Sequence, residues 1–130
     1  MDDLYRAVIV DRYKHPRMKQ TLQSYDFHYE DHNPLCGDQM VVYLKMDESG
    51  TITDAGFEGE GCAISQASAD LLLESLIGKT VEDVKGITKD DILDMLGIEL
   101  GPVRLKCALL SLKVTKAAIY GLDSLEEELH

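Results

Sequence analysis

Three cysteines and one aspartate are the residues of this chain with the greatest capacity for chemistry. Cys36 and Asp38 lie in the segment NPLCGD, Cys62 in GEGCA, and Cys107 in PVRLKC. Thiolates and carboxylates bind metal ions, and thiolates also accept and donate sulfur. The flanking glycines and prolines are typical of turns and helix starts. A metal or sulfur site is therefore the leading hypothesis; the alternative is that the cysteines are small buried hydrophobic residues.

These ligands form a plausible four-coordinate shell for zinc or for an iron–sulfur cluster. Four anionic ligands around a dication give the site an excess of negative charge. Two basic residues close to Cys107 in sequence, Arg104 and Lys106, would reduce this charge. A carboxylate binds a soft metal centre less well than a cysteine, so the site is expected to open at Asp38. The chain has no Cys-x-x-Cys pair, which argues against a zinc finger or a thioredoxin-type redox site. Among the histidines, which otherwise read as solvated, only His32 is kept as a spare ligand.

Length and charge limit the classes of function. At 130 residues, the chain is predicted to be a single domain spanning residues 1–130. Its net charge of −11 disfavours nucleic acid as a partner and favours a protein with a basic docking face. No apolar stretch is long enough to cross a membrane, and the N-terminus is acidic where a signal peptide would be basic. A cytoplasmic location is expected, where thiols remain reduced.

The hydrophobic pattern predicts an α+β fold, with a small antiparallel β-sheet packed against helices. The first helix is expected over Asp3 to Tyr13, with Leu4, Val8 and Ile9 on its apolar side. Residues Tyr25 to Asn33 are predicted to form a surface loop, part of which could pair as a strand. The remaining predicted elements are a hairpin of Met40–Leu44 and Thr51–Phe57, a helix over Ala63–Ile77, two short helices capped by Thr80 and Thr88, and a long helix from Pro102 to about Gly121.

This arrangement predicts that the cysteines converge. A hairpin brings its flanks together, so Cys36 and Cys62 should lie at the same end of the sheet. Cys62 directly precedes a helix, and Cys107 is expected in the first turn of another. Since helix N-termini carry partial positive charge, both thiols should ionise more easily than a free thiol.

The three cysteine motifs, together with YRAVIVDRYKHPR near the N-terminus, resemble the U-type iron–sulfur cluster assembly proteins, which include IscU, SufU and the N-terminal domain of NifU. The resemblance covers nearly the whole chain, with the motifs in the right order. It implies the SufE/NifU-like U-type fold and a role in cluster biogenesis, with sulfur supplied by a cysteine desulfurase of the SufS or IscS type. It also implies that Cys36, Asp38, Cys62 and Cys107 are the metal or cluster ligands, and that apo iron–sulfur proteins or carriers are downstream partners.

Two differences bear on the subclass. Lys106 stands where IscU proteins have a histidine, and Leu100–Arg104 (LGPVR) replaces their chaperone-binding segment LPPVK. Both differences resemble SufU, which binds zinc and accepts sulfur from SufS. The separation of Cys62 from Cys107 is instead close to that of IscU, because SufU proteins usually carry an extra segment there. The subclass therefore stays open between the two.

Three hypotheses follow. In the first, the chain is a zinc-binding sulfur acceptor, possessing sulfurtransferase activity, in which Cys36 is the preferred acceptor and Cys107 the second candidate. Arg104 would pair with Asp38 when the site opens, and Lys106 would hold thiolates ionised; alternatively both are solvated basic residues. In the second hypothesis, the same ligands hold a transient [2Fe–2S] cluster on a non-enzymatic scaffold. In the third, zinc has only a structural role.

Overall fold

The computed structural model describes residues 2–33 and 38–120, and it confirms the α+β prediction. Within these ranges, a three-stranded antiparallel sheet of order β1-β2-β3 packs against helices. The elements are α1 (Asp2–Lys14), β1 (Phe27–Asn33), β2 (Asp38–Met46), β3 (Ile52–Glu60), α2 (Ala63–Leu76), α3 (Val81–Lys85), α4 (Lys89–Leu96) and α5 (Pro102–Tyr120). None of the described helices is long and apolar enough to cross a membrane.

The predicted hairpin forms β2 and β3, and each strand is longer than expected. The two pair from Gln39 opposite Glu60 to Met46 opposite Ile52. Alternating residues of β2, among them Met40 and Val42, are fully buried against the helices, as the period of a half-buried strand requires. Because β2 begins at Asp38, the predicted ligand lies in the sheet rather than in the loop before it.

Residues 25–33 were predicted as a surface loop, part of which could pair as a strand, and residues 27–33 form the edge strand β1. Asn33 pairs with Asp38, so residues 34–37 connect β1 to β2. β1 was difficult to predict because its sequence is polar. One of its charged residues, Asp31, faces α5, where it pairs with Lys113 at 3.0 Å. Burial by itself would raise the pKa of Asp31, but hydrogen bonds from Lys113 and from the His32 N–H lower it.

A buried cluster of charges joins α1 to α2. Arg12, which is 8% exposed, donates to Asp70 at 2.9 Å and to Glu74 at 2.8 and 3.1 Å. The other oxygen of Asp70 accepts the backbone N–H groups of Arg17 and Met18. The predicted apolar side of α1 is only partly correct, because Ile9 is buried whereas Leu4 is 68% exposed. Leu4 lies too near the start of α1 to be covered by α2.

The short helices begin where the capping residues predicted. The side chains of Thr80 and Thr88 each accept a hydrogen bond from the backbone N–H of the third helical residue. In turn, the side chains of Asp83 and Asp91 accept one from the backbone N–H of the capping threonine. Gly97 ends α4 in the left-handed conformation, with φ of 68°. α2 and α5 then cross through small residues, where Ser68 donates to the Ala108 carbonyl at 2.7 Å. This contact fixes α5 beside the start of α2.

Candidate metal centre

Asp38 is buried at the start of β2, where its carboxylate reaches the start of α2. It is 1% exposed. Its Oδ1 accepts the backbone N–H of Cys62 at 3.0 Å. A buried carboxylate must be compensated by hydrogen bonds or positive charge, and the N-terminus of a helix offers both. Asp38 therefore has a local reason to lie beside Cys62 independently of any metal.

Cys62 is the N-cap residue of α2, as predicted. Its backbone is extended, with φ of −73° and ψ of 168°, and its side chain makes no capping hydrogen bond. The Sγ atom instead approaches Asp38 Oδ2 at 3.9 Å. The hydroxyl of Ser65 donates to the Cys62 carbonyl at 3.1 Å, which fixes the backbone of this residue. The thiol is therefore directed at the carboxylate rather than at its own helix.

Cys107 completes the cluster from α5. One ligand atom from each of Asp38, Cys62 and Cys107 lies within 4.8 Å of the other two. The prediction that Cys107 lies in the first turn of its helix is wrong: α5 begins at Pro102, so Cys107 belongs to the second turn. The helix dipole is weaker there. Cys107 is also 2% exposed, so burial rather than a helix end governs its surroundings.

Gly61 makes room for this cluster. A Cβ atom at this position would lie 2.4 Å from Ser65 Oγ and 2.6 Å from Asp38 Oδ1. Both distances are shorter than any non-bonded contact to carbon allows, so every other amino acid would displace the carboxylate or the hydroxyl. The glycine that precedes Cys62 is thus required by the packing of the site.

The donor set fits zinc. Two thiols and one carboxylate, from β2, the N-cap of α2 and α5, converge so that one ligand atom of each lies within 4.8 Å of the others. Sulfur and oxygen donors of this kind bind zinc in tetrahedral sites, and thiolates are also the usual ligands of iron–sulfur clusters.

The remaining predicted site residues stand apart from this cluster or cannot be placed. Cys36 lies outside the described residues. His32 is exposed on β1 and does not belong to the cluster found among residues 2–33 and 38–120. Arg104 and Lys106 are both exposed on α5. Arg104 lines a groove with Ile9 of α1 and Ile64 of α2, so it borders the start of α2.

Reasoning from the sequence missed the residues that hold the ligands. Ser65 and Gly61 position Cys62 and Asp38, and neither was singled out. A signal for Ser65 existed, because a hydroxyl residue in the first turn of a helix can bond to the backbone of the cap. No comparable local signal identifies Gly61, whose role depends on Asp38, which lies far from it in the sequence.

Three comparisons place the chain among known proteins. A family model described as the NifU-like N terminal domain matches residues 4–127. The zinc-dependent sulfurtransferase SufU of Bacillus subtilis strain 168 is 36% identical, over 92% of this chain and 91% of that protein. The iron–sulfur cluster assembly scaffold protein IscU of Thermotoga maritima is 33% identical, over 89% of this chain and 92% of its relative.

Solved structures share the fold. The crystal structure of SufU from Fervidobacterium islandicum AW-1 has a TM-score of 0.72 and 30% identity, covering 86% of this chain and 93% of that one. A NifU-like N-terminal protein from Brucella abortus has a TM-score of 0.74 and 25% identity, covering 95% and 96% of the two chains. The architecture is therefore similar throughout these proteins.

Proposed function

The chain belongs to the family of NifU-like N-terminal domains, and on that basis we propose that it is a zinc-binding sulfur acceptor in iron–sulfur cluster assembly. It takes persulfide sulfur from a cysteine desulfurase and passes it on toward apo iron–sulfur proteins or their carriers. The observation that carries the proposal is the convergence of Asp38, Cys62 and Cys107 on one point. Its location would be the cytoplasm, where the thiols stay reduced.

Two further observations favour zinc and sulfur transfer over a scaffold. The SufU relative is described as a zinc-dependent sulfurtransferase and is 36% identical. In addition, the residue before Cys107 is the exposed Lys106. A histidine at that position would have been a fifth candidate ligand. Zinc bound by Asp38, Cys62, Cys107 and Cys36 would keep the thiols deprotonated and protected until the desulfurase docks.

Cys36 is the proposed acceptor. Its thiolate attacks the terminal sulfur of the desulfurase persulfide: a new S–S bond forms on Cys36, the S–S bond on the enzyme breaks, and the enzyme's cysteine leaves as a thiolate. No electrons are gained or lost overall. The second candidate, Cys107, is 2% exposed, which disfavours direct attack on a sulfur held by another protein.

The basic residues of α5 have supporting roles in this proposal. Exposed Lys106 stabilises the negative charge of the thiolates beside it. Arg104 pairs with Asp38 once a ligand leaves, since it borders the start of α2 where Asp38 is held. If Arg104→Ala transfers sulfur at the rate of the unaltered protein, this role of Arg104 is wrong.

A second function is favoured by the IscU relatives, among them the scaffold of Thermotoga maritima. The same ligands would then hold a transient [2Fe–2S] cluster, and Asp38, the hardest ligand, would be the position at which the cluster is released. In that case the chain acts as a scaffold rather than as a sulfurtransferase.

Two assays separate these functions. In the first assay, a SufS-type desulfurase is incubated with cysteine, and the rate of alanine formation is measured. The rate is compared between the desulfurase alone, the desulfurase with the zinc-loaded chain, and the desulfurase with the zinc-loaded Cys36→Ser variant. Stimulation that depends on Cys36 supports the acceptor.

Anaerobic incubation with iron, sulfide and the desulfurase is the second assay. The scaffold function is supported if a visible chromophore forms and passes to an apo iron–sulfur protein while the zinc-loaded chain does not stimulate the desulfurase. That result would contradict the proposal of a sulfur acceptor.

A further inference from the structure

One face of the sheet is covered by helices, and the other carries exposed side chains. α2 and α5 contact the sheet, and the residues of β2 that lie buried beneath them include Met40 and Val42. Because side chains alternate along a strand, the intervening residues point the other way. The register places the exposed His28, Glu30 and Glu58 on that second face, which we call the outer face.

Three aromatic rings meet on the outer face. His28 and Tyr43 lie directly opposite each other on β1 and β2, with ring centroids 6.1 Å apart and an angle of 12° between the ring planes. Tyr25, which precedes β1, completes the cluster, with its centroid 4.9 Å from that of His28 and 5.2 Å from that of Tyr43. A cross-strand aromatic pair stabilises a sheet by itself. Tyr25 gains less from the contact, because it is 43% exposed.

The backbone beside Tyr25 is nevertheless tied to the sheet. The N–H of Asp26 donates to the Leu44 carbonyl at 2.9 Å, and Asp26 Oδ2 accepts the N–H of Met46 at 2.7 Å. An exposed tyrosine on an ordered backbone offers a large contact area and loses little conformational entropy on binding. Tyrosines of this kind are enriched among the residues that dominate protein–protein interfaces.

Carboxylates surround this cluster. Burial raises the pKa of the Tyr43 hydroxyl, and the negative charges of Glu58 and Glu30 raise it further. The charged residues that the register places on the outer face of the strands are mostly acidic: Glu30, Asp54, Glu58 and Glu60 against Lys45. A cation is attracted both by the face of an aromatic ring and by neighbouring carboxylates. The outer face therefore favours a positively charged ligand.

We propose that the outer face is a docking surface for an arginine-bearing segment of a protein partner, with one guanidinium over the ring of Tyr25 and paired with Glu30 or Glu58. Arginine fits better than lysine, because its planar guanidinium stacks on an aromatic ring while it donates to carboxylates. A nucleic acid does not fit, because this face repels phosphates. The inference does not rest on the proposed function.

A partner on the outer face would leave the candidate metal centre accessible. Asp38 lies on the same side of β2 as Met40 and Val42, as the alternating burial along the strand shows. Cys107 belongs to α5, which packs on that side. The centre and the docking surface are thus on opposite faces of the sheet. A basic partner and a protein that reaches the centre can therefore bind at the same time.

The docking surface is tested first on the unaltered protein with a peptide of defined chemistry. A blocked peptide in which arginine alternates with glycine is titrated into the isotopically labelled chain at low ionic strength, and nuclear magnetic resonance follows the ring signals. The signals of Tyr25, His28 and Tyr43 should shift and reach saturation. The same peptide with neutral citrulline in place of arginine should leave them unchanged. Absence of shifts with the arginine peptide, or equal shifts with both peptides, overturns the proposal.

A pair of matched variants tests the ring. Tyr25→Leu keeps an apolar side chain and removes the aromatic face, so the affinity for the arginine peptide should fall about two- to fivefold, the range for an exposed cation–π contact. Tyr13→Leu is the control, because Tyr13 is 47% exposed but lies on α1. It should bind the peptide as the unaltered protein does. Equal affinities in the two variants would show that the peptide is attracted by overall charge alone, which overturns the proposal.

A second pair of variants tests the charge. Glu58→Gln should weaken peptide binding and make it less sensitive to salt, because a carboxylate of the docking surface is lost. Glu82→Gln removes the same charge from α3, where Glu82 is 81% exposed, and it should do neither. Equal affinities and salt dependences in the two variants would contradict a site on the outer face.

Sedimentation of the unaltered protein and of Tyr25→Leu identifies the occupant. The proposal of a separate basic partner predicts that the two proteins sediment alike. Self-association of the unaltered protein that is lost in Tyr25→Leu would make a second copy of the chain the occupant and would overturn the proposal.

Discussion

Asp38 uses its two carboxylate oxygens for different purposes. Oδ1 accepts the backbone N–H of Cys62 at 3.0 Å. Oδ2 faces the Cys62 sulfur at 3.9 Å. The first contact fixes the carboxylate against α2, so the second oxygen is already in place for a metal. One residue thus joins the end of the sheet to the start of a helix and offers an oxygen atom to the candidate metal centre.

Gly61→Ala tests this arrangement at a single atom. The added Cβ would lie 2.6 Å from Asp38 Oδ1 and 2.8 Å from its Cγ, so the carboxylate must move. Zinc affinity should fall at least about tenfold, as for other changes behind the ligands. The matched control is Gly101→Ala, where a Cβ meets nothing within 4 Å. If both variants bind zinc as the unaltered protein does, Asp38 is not held in the way described.

At the scale of elements, a buried ion-pair cluster joins α1 to α2. Asp70 is 0% exposed, and it accepts from Arg12 and from the backbone of the segment after α1. Removal of one partner from a buried charge pair leaves the other charge uncompensated. The contact therefore matters more for stability than the ion pairs at the surface.

Asp70→Ala should lower the free energy of unfolding by about 3–5 kcal/mol, the usual cost of breaking a buried pair. Lys113→Ala is the control, because the Lys113–Asp31 pair is partly exposed, with 44% and 22% of the two side chains accessible. That variant should lose no more than about 1 kcal/mol. Urea unfolding measures both. Equal losses would show that α1 is held by apolar contacts instead.

The same cluster gives stability a dependence on pH. The Arg12 hydrogen bonds hold the pKa of Glu74 below its ordinary value of 4.5. Because the pKa of Glu74 is lower in the folded state, this stabilisation is fully present when the pH is above the ordinary pKa of 4.5. It is lost as the pH falls through the lowered pKa of the folded state. Glu74→Gln should therefore flatten the acid limb of a plot of melting temperature against pH.

The effect should be modest, because Glu74 is 41% exposed and solvent screens it. Glu82→Gln is the control: Glu82 is 81% exposed and pairs with Lys85 in the same helix. Its profile should match that of the unaltered protein. A Glu74→Gln profile that also matches it would contradict the linkage.

The elements also show how far the sequence could predict the fold. Thr80 and Thr88 were sufficient to locate α3 and α4, since a capping box is a local signal. β1 was not predicted with certainty, because its pairing with β2 and the partner of Asp31 on α5 are both distant in sequence. The predicted start of α5 at Pro102 is correct, but Cys107 is the sixth helical residue and one turn holds about 3.6 residues, so the cysteine lies in the second turn.

On the scale of the whole molecule, the candidate centre joins three parts of the chain. Asp38, Cys62 and Cys107 come from β2, α2 and α5, which meet at one end of the sheet. The sequence motifs singled out these residues as candidate ligands. The hairpin was expected to bring Cys36 to Cys62, and because Cys36 lies outside the described residues, that convergence stays a prediction. Gly61 could not be ranked from the sequence, because its importance depends on its contact with Asp38, which is distant in the chain.

Metal binding should therefore stabilise the whole fold. Zinc at about 100 times its dissociation constant adds about 2.7 kcal/mol to the free energy of unfolding. Removal of zinc with a chelator should lower the melting temperature, and Cys62→Ser should abolish the difference between the loaded and stripped forms. Zinc bound elsewhere would instead stabilise Cys62→Ser as much as the unaltered protein.

The most direct test of the account is to locate the transferred sulfur. The zinc-loaded chain is incubated with cysteine and a SufS-type desulfurase, and peptides are then analysed by mass spectrometry, with zinc content measured in parallel. The account predicts a persulfide on the peptide that contains Cys36, in protein that carries zinc, and none in Cys36→Ser. The absence of a persulfide from the peptides of Cys36, Cys62 and Cys107 would contradict sulfur transfer by this protein.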